Sequence, residues 1–145
     1  VITRTLHLAD LEERDLRYLR SHLTKRGSDF HRMLGWIIRG DGFSADERWI
    51  ATVRDHGRLI GWARTEKWLD HESGITWDTL ESFVAEDYRG RGVSRLAATA
   101  LGVDYLYDQS AHSVAVFHPH MLLVARASGY HPTLFVKEGQ SWRMS

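Results

Sequence analysis

The chain has 145 residues, with 19 Lys+Arg against 19 Asp+Glu, nine His, two Pro and no Cys. Its length suits one compact domain, and 43% hydrophobic with 26% charged residues is the balance of a globular chain, not of a disordered or fibrous one. Zero formal charge removes the broad attraction that would by itself suggest nucleic acid or an anionic membrane, and zero Cys excludes disulfides, iron–sulfur clusters and thiolate zinc.

No apolar run approaches the roughly 18 residues of a membrane span, and Val1 to Leu8 lacks the continuous apolar stretch of a signal peptide. A cytoplasmic enzyme or binding domain is the expectation, since a cysteine-free chain is compatible with a reducing compartment.

Residues 1 to 8 mix Ile2, Leu6 and Leu8 with Thr and His, a short strand-like opening. Asp10 then reads as a helix cap with Glu13 at the capping-box position, Leu16, Leu19 and Leu23 recur at helical spacing, and Lys25-Arg26-Gly27 ends the helix. A second helix is expected from a cap at Ser28, carrying Phe30, Leu34 and Ile37 inward and stopping at Gly40-Asp41-Gly42. Trp49 to Val53, the turn Asp55-His56-Gly57 and Leu59 to Ala63 predict a hairpin. Ile75 to Val84, rich in β-branched and aromatic residues without clean alternation, predicts a strand covered on both faces.

After the glycine turn Arg89-Gly90-Arg91-Gly92, residues Val93, Leu96, Ala97, Ala100, Leu101 and Asp104 share a mostly apolar helical face. Ser113 to Phe117 reads as a strand, Met121 to Ser128 as a helix closed by Gly129-Tyr130, and Leu134 to Val136 with Trp142 to Met144 as a last hairpin about Glu138-Gly139. The string is βααβββαβαββ. With no repeat or linker, residues 1–145 are expected to form a single α/β domain with a mixed sheet.

The stretch richest in chemistry is Val84-Ala85-Glu86-Asp87-Tyr88-Arg89-Gly90-Arg91-Gly92-Val93-Ser94, between a buried strand and an amphipathic helix. Glycines at 90 and 92 permit positive φ, so successive N–H groups can converge on an anion at the positive end of the helix dipole, and Arg89 and Arg91 add charge-assisted donors. A plain strand-to-helix turn with solvated arginines is the bland alternative. No Lys-Ser/Thr follows the glycines, which disfavours a P-loop, and no Gly-x-Gly-x-x-Gly is present, which disfavours a dinucleotide fold. Gly92-Val93-Ser94-Arg95-Leu96 lacks the second glycine of a hydrolase nucleophile elbow. His118-Pro119-His120 has no third ligand fixed by spacing, so no metal is expected.

Arg89-Gly90-Arg91-Gly92-Val93-Ser94 resembles the Gln/Arg-x-x-Gly-x-Gly/Ala phosphate loop of the GCN5-related N-acetyltransferase (GNAT) superfamily, matching at Arg89 and Gly92 and departing at Ser94. Val84 matches the family's valine at the end of the preceding strand, and Gly129-Tyr130 looks like the Gly-Phe that closes its fourth helix. The family's order of elements is also βααβββαβαββ, so the resemblance covers the whole chain. It implies a mixed, mainly antiparallel central sheet with helices on both faces.

The resemblance further implies an acetyl-CoA site, with the pyrophosphate on the amides of Arg89, Gly90, Arg91, Gly92, Val93 and Ser94. The pantetheine would pair with the strand edge near Phe83 and Val84, and the acetyl group would lie where this strand and Ser113 to Phe117 splay apart. The acetyl would pass directly to a primary amine of a small molecule or protein, after a base has taken the ammonium proton.

The carboxylates available as base are Asp78 and Glu81, which face opposite sides of a regular strand. Asp78 shares parity with Val84, and its distance from that residue resembles the family's usual base position on the long central strand, so the resemblance favours Asp78. The family's frequent acid, a tyrosine in the fourth helix, is replaced by Ala125, which leaves water, Tyr130 or His118 to protonate the thiolate. A catalytically silent acyl-CoA-binding or interaction domain of the same fold is the alternative that Ala125 motivates. Acetyl-CoA and an amine are the expected partners, with no membrane. A homodimer is compatible with the chain, and nucleic acid is disfavoured because Glu12, Glu13 and Asp15 interleave Arg14, Arg17 and Arg20. Acceptor identity is assigned to segments 24 to 46 and 137 to 140, which carry no readable code.

Overall fold

A computed structural model describes residues 1–23, 29–40, 49–105 and 113–145. They gather in two compact units, one of Val1–Thr5 with Ile50–Ser145 and one of Leu6–Trp49. The elements are β1 (Ile2–His7), α1 (Glu13–Ser21), α2 (Asp29–Arg39), β2 (Trp49–Asp55), β3 (Arg58–Leu69), β4 (Thr76–Val84), α3 (Val93–Tyr105), β5 (Ser113–Val116), α4 (Pro119–Ala127), β6 (His131–Glu138) and β7 (Ser141–Met144), with 3-10 turns at Leu8–Asp10 and Glu86–Tyr88. The strands form one mixed sheet in the order β1-β2-β3-β4-β5-β6-β7. Among the described residues no helix is long and apolar enough to cross a membrane.

In the smaller unit α1 packs with α2. The periodic residues Leu16, Leu19 and Leu23 of the first helical segment are buried, as are Phe30, Met33 and Leu34 of α2. Asp10 is not the cap of α1. It closes the 3-10 turn, and Glu12 takes the N-cap position without a side-chain cap bond, so the helix starts later than the capping-box pattern predicts. Arg14 and Arg17 pair with Glu12 and Glu13 at 3.0 and 2.8 Å. The cap expected at Ser28 and the stops at Gly27 and Asp41-Gly42 lie outside the described residues.

In the larger unit β2, β3 and β4 are joined antiparallel, β4 pairs parallel with β5, β5 with β6 in parallel, and β6 antiparallel with β7. Parallel neighbours require a crossover, and α3 and α4 supply it. β3 runs to Leu69, well past Ala63, where its sequence turns to charged residues, and β6 begins at His131, earlier than its apolar run suggests. The fourth helix starts at Pro119, because a proline at the first helical position lacks only an N–H that the helix would not use.

The core of this unit is made by Ile50, Val53, Ile60, Trp62, Ala97, Leu101, Val114, Val116 and Phe135, all essentially without exposure. Two faces of β4 are distinguished by its neighbours. Val84 is the partner of Gly61, and a Cβ at Gly61 would stand 2.5 Å from Val93 Cγ1 of α3, so even-numbered β4 residues share the α3 side. Ser82 confirms this: its Oγ lies 3.2 Å from Ser94 Oγ in α3 and 3.3 Å from Met121 Sδ in α4. Odd-numbered Thr79, Glu81 and Phe83 face the other way.

Candidate active site

The β4/β5 register consists of Asp78↔Val114 and Thr79↔Ala115, whereas β4 continues to Val84. Beyond Thr79 the two strands part, and Leu80 to Val84 present a backbone edge on the β5 side. At the end of that edge the chain makes the turn Glu86–Tyr88 and the glycine turn, in which Gly90 and Gly92 have φ of 77° and 79°. The left-handed conformation is one that glycine adopts without steric cost. Helix α3 follows directly: Leu96 N–H donates to the Gly92 carbonyl at 3.1 Å, which puts Gly92 at the N-cap. The amides of Val93, Ser94 and Arg95 therefore have no partner within the helix, and no acidic residue stands in its first turn. This is the chemistry of an anion cradle, with oriented N–H donors at a dipole's positive end.

The turn is braced by side chains whose part is not visible in the motif itself. Tyr88 donates to Asp55 Oδ2 at 2.5 Å, and Arg58 makes two bonds to Asp87 at 2.8 and 3.2 Å. The Arg91 guanidinium lies over the Tyr88 ring, 5.2 Å from its centroid. The Tyr88 hydroxyl holds the Asp55 carboxyl below the usual carboxylate range, the Arg58 guanidinium does the same for Asp87, and the Asp55 bond raises the Tyr88 hydroxyl. Arg89 is used inside the turn: its Nε donates to the Val84 carbonyl at 3.1 Å. Any ligand arm that paired with the β4 edge would have to displace Arg89 from the Val84 carbonyl.

Gly61 was also hidden in the sequence. A glycine inside an apolar strand is a mark of close approach, and the Val93 side chain occupies the place of its missing Cβ, seating α3 tightly beside the glycine turn.

The structure places the two candidate carboxylates in different settings. Asp78 lies on the α3 side of β4 and pairs with Lys67 at 2.6 Å, level with Val114 in the stretch that β5 covers. Glu81 lies on the opposite face, on the part of β4 that β5 has left, and pairs with Arg64 Nη2 at 2.6 Å. Arg64 is 4% exposed and reaches Glu66 with its other nitrogen at 2.7 Å.

His118 is exposed at the N-cap of α4, makes no side-chain capping bond, and stacks on His120 at 5.5 Å between centroids. Among the described residues no group of three or more His, Cys, Asp or Glu could hold a metal ion. Tyr130 is 3% exposed and donates to the Ala98 carbonyl of α3 at 3.1 Å. Burial pushes its hydroxyl far above the ordinary phenol range. Ala125 is fully buried.

No family model and no curated protein matches the chain. Among solved structures it is similar to a ribosomal-protein-alanine N-acetyltransferase from Brucella melitensis, at 17% identity and a TM-score of 0.43, over 94% of this chain and 73% of that one. An aminoglycoside acetyltransferase from an uncultured soil metagenomic sample, in complex with sisomicin, aligns at 10% identity and a TM-score of 0.42, over 95% of this chain and 78% of that one. An acetyltransferase of the GNAT family from Streptococcus pneumoniae aligns at 13% identity and a TM-score of 0.39, over 93% of this chain and 74% of that one.

Proposed function

We propose that the chain, residues 1–145 acting as one domain of the GCN5-related superfamily, is a cytoplasmic N-acetyltransferase that moves the acetyl group of acetyl-CoA to a primary amine. The observation that carries this reading is the parting of β4 from β5 after Thr79 and Ala115, with the Gly90/Gly92 turn and the start of α3 at the end of the exposed edge. An extended pantetheine arm suits the edge and a pyrophosphate suits the amides of residues 89–94, which no acidic side chain of α3's first turn opposes. Acetyl-CoA would supply an activated acyl group as a thioester.

The protein's own part is orientation, proton removal and charge stabilisation. Because α3 and its turn lie on one side of β4, a cofactor held there reaches through the gap, and the amine approaches from the other side, where Glu81 stands. An alkyl ammonium has a reference pKa near 10.4, so Glu81, directly or through a water, takes its proton before attack. The amine nitrogen then forms the N–C bond as the C–S bond breaks and releases its second proton to solvent, leaving a neutral amide, with a backbone N–H near Val84 polarising the carbonyl oxygen. The departing thiolate, of pKa near 8.5 by analogy with cysteine, needs little acid help, and His118 or solvent returns the proton. Asp78, paired with Lys67 on the α3 side, is better suited to holding β3 against β4.

The deciding experiment is thiol release from acetyl-CoA with a panel of primary amines, read together with calorimetric binding of acetyl-CoA. Release that depends on the amine supports the transferase. Tight binding without release supports the silent acyl-CoA-binding alternative, and no binding overturns both.

A further inference from the structure

The β3/β4 register stacks one ladder of side chains on the face away from α3: Trp62 beside Phe83, Arg64 beside Glu81, Glu66 beside Thr79, and Trp68 beside Trp77. The middle of this ladder is charged and both ends are aromatic. Arg64 is 4% exposed, yet the side chains of Glu66 and Glu81 that grip its two terminal nitrogens keep 36% and 29% exposure. One guanidinium is thus sealed beneath two carboxylates that reach solvent, and the outward side of the triad carries one surplus negative charge. The Trp62–Phe83 stack at 5.9 Å and the edge-on Trp68–Phe135 contact at 4.9 Å flank it with apolar side chains, of which Trp62 and Phe135 are fully buried and Phe83 and Trp68 partly exposed, so charges there are screened less than in water.

A ligand arriving at this face meets carboxylates and not the arginine. A protonated amine is attracted by both. A carboxylate on the same carbon as the amine is repelled by both, and Arg64, which would otherwise receive it, is covered and already bonded to each. We infer that the acceptor is a primary amine whose amine-bearing carbon carries no free carboxylate: a simple amine, an amino amide or a peptide N-terminus, and not a free α-amino acid. The inference rests on the transferase reading only in taking this face as the acceptor side.

The test compares matched pairs, phenylethylamine with phenylalanine and glycinamide with glycine, in two arms. One arm measures kcat/KM with acetyl-CoA, and the other measures calorimetric binding of each compound to the CoA-loaded protein. The carboxylate-free member of each pair is expected to be at least tenfold better in both arms. Glu66→Gln, a change at a half-exposed side chain that removes the surplus charge, should shrink that preference several-fold while acetyl-CoA affinity stays the same. Equal binding of both members, binding of neither, or an undiminished preference in Glu66→Gln overturns the inference. Loss of thiol release with every amine overturns the transferase reading instead, and the binding arm still decides the charge selection.

Discussion

Gly61→Ala is the perturbation for which the structure supplies the most arithmetic. The new Cβ would stand 2.5 Å from Val93 Cγ1 and 3.1 Å from the Phe83 carbonyl oxygen. Carbon atoms in contact sit about 3.5–4.0 Å apart, so roughly 1 Å of overlap must be relieved. The Phe83 carbonyl belongs to the β4 backbone and cannot yield, which leaves the buried Val93 side chain, and with it the first turn of α3, to move. Overpacking of this kind costs about 1–3 kcal/mol. Val93→Ala alone removes two methyl groups from a site that is 6% exposed, a loss of about 1.6 kcal/mol at about 0.8 kcal/mol per buried carbon.

Combined, the two changes should compensate, because the alanine methyl at 61 enters the space that the valine vacates. The double variant should then be about 1–2 kcal/mol more stable than the sum of the singles predicts. Urea unfolding followed by circular dichroism gives the three free energies, and acetyl-CoA calorimetry on the same proteins shows whether α3 has moved. In Gly61→Ala, affinity should fall up to tenfold and recover in the double variant. A Gly61→Ala protein within about 0.5 kcal/mol of the parent, or strict additivity of the pair, would refute the reasoning.

Gly92→Asp should abolish acetyl-CoA binding, since it forces a side chain onto a residue with φ of 79° and sets a negative charge at the proposed pyrophosphate site; Gly92→Ala separates strain from charge, and unchanged calorimetric affinity in the Asp variant sinks the site. Glu81→Gln should lower kcat/KM at least a hundredfold and Asp78→Asn only a few-fold, and the reverse order would return the base to the α3 side. Tyr130→Phe removes the bond to the Ala98 carbonyl and should cost about 1 kcal/mol of stability with kcat intact; a fall in kcat at unchanged stability would assign it the acid's role. Asp55 and Asp87 have lowered carboxyl pKa values, so the stability they contribute is present above the ordinary carboxylate value near 3.9 and is lost as pH falls through their lower folded values. Acid unfolding of Asp87→Asn should be less steep over that window than that of the parent, and an unchanged slope counts against the brace.

What was legible in the sequence followed from periodicity and punctuation. Leu16, Leu19 and Leu23 announce a helical face, and Gly90 and Gly92 announce a turn that needs positive φ, because both signals are local. The length of β3 was not legible. Past Ala63 the chain reads Arg64-Thr65-Glu66-Lys67, a run that elsewhere marks a solvated loop, and nothing local says that Arg64 is buried. The local Glu66 meets one of its nitrogens, and the register that brings Glu81 across to the other helps offset the cost of such burial, a pairing that spans residues far apart in the chain. The brace of Asp55, Arg58, Asp87 and Tyr88 was hidden for the same reason. Its residues belong to a hairpin turn and a 3-10 turn that become neighbours only after β3 and β4 have paired.

The choice between Asp78 and Glu81 shows where parity stops being informative. Alternation along a strand correctly separates the two carboxylates onto opposite faces, and no bulge interrupts the β3/β4 register between them. It cannot say which face receives the amine. That depends on where α3 lands, which Gly61 and Val93 fix by close contact, and on where β5 lets go of β4, which the Thr79↔Ala115 pair marks. With α3 on the even-numbered side of β4, a cofactor anchored at its N-terminus, as proposed above, would come from that side, and a base on the odd-numbered side would not compete with it for the same space. Glu81 stands on that side and past the last paired residue, and these two facts support the proposal of Glu81 over Asp78, which the strand parity with Val84 had favoured.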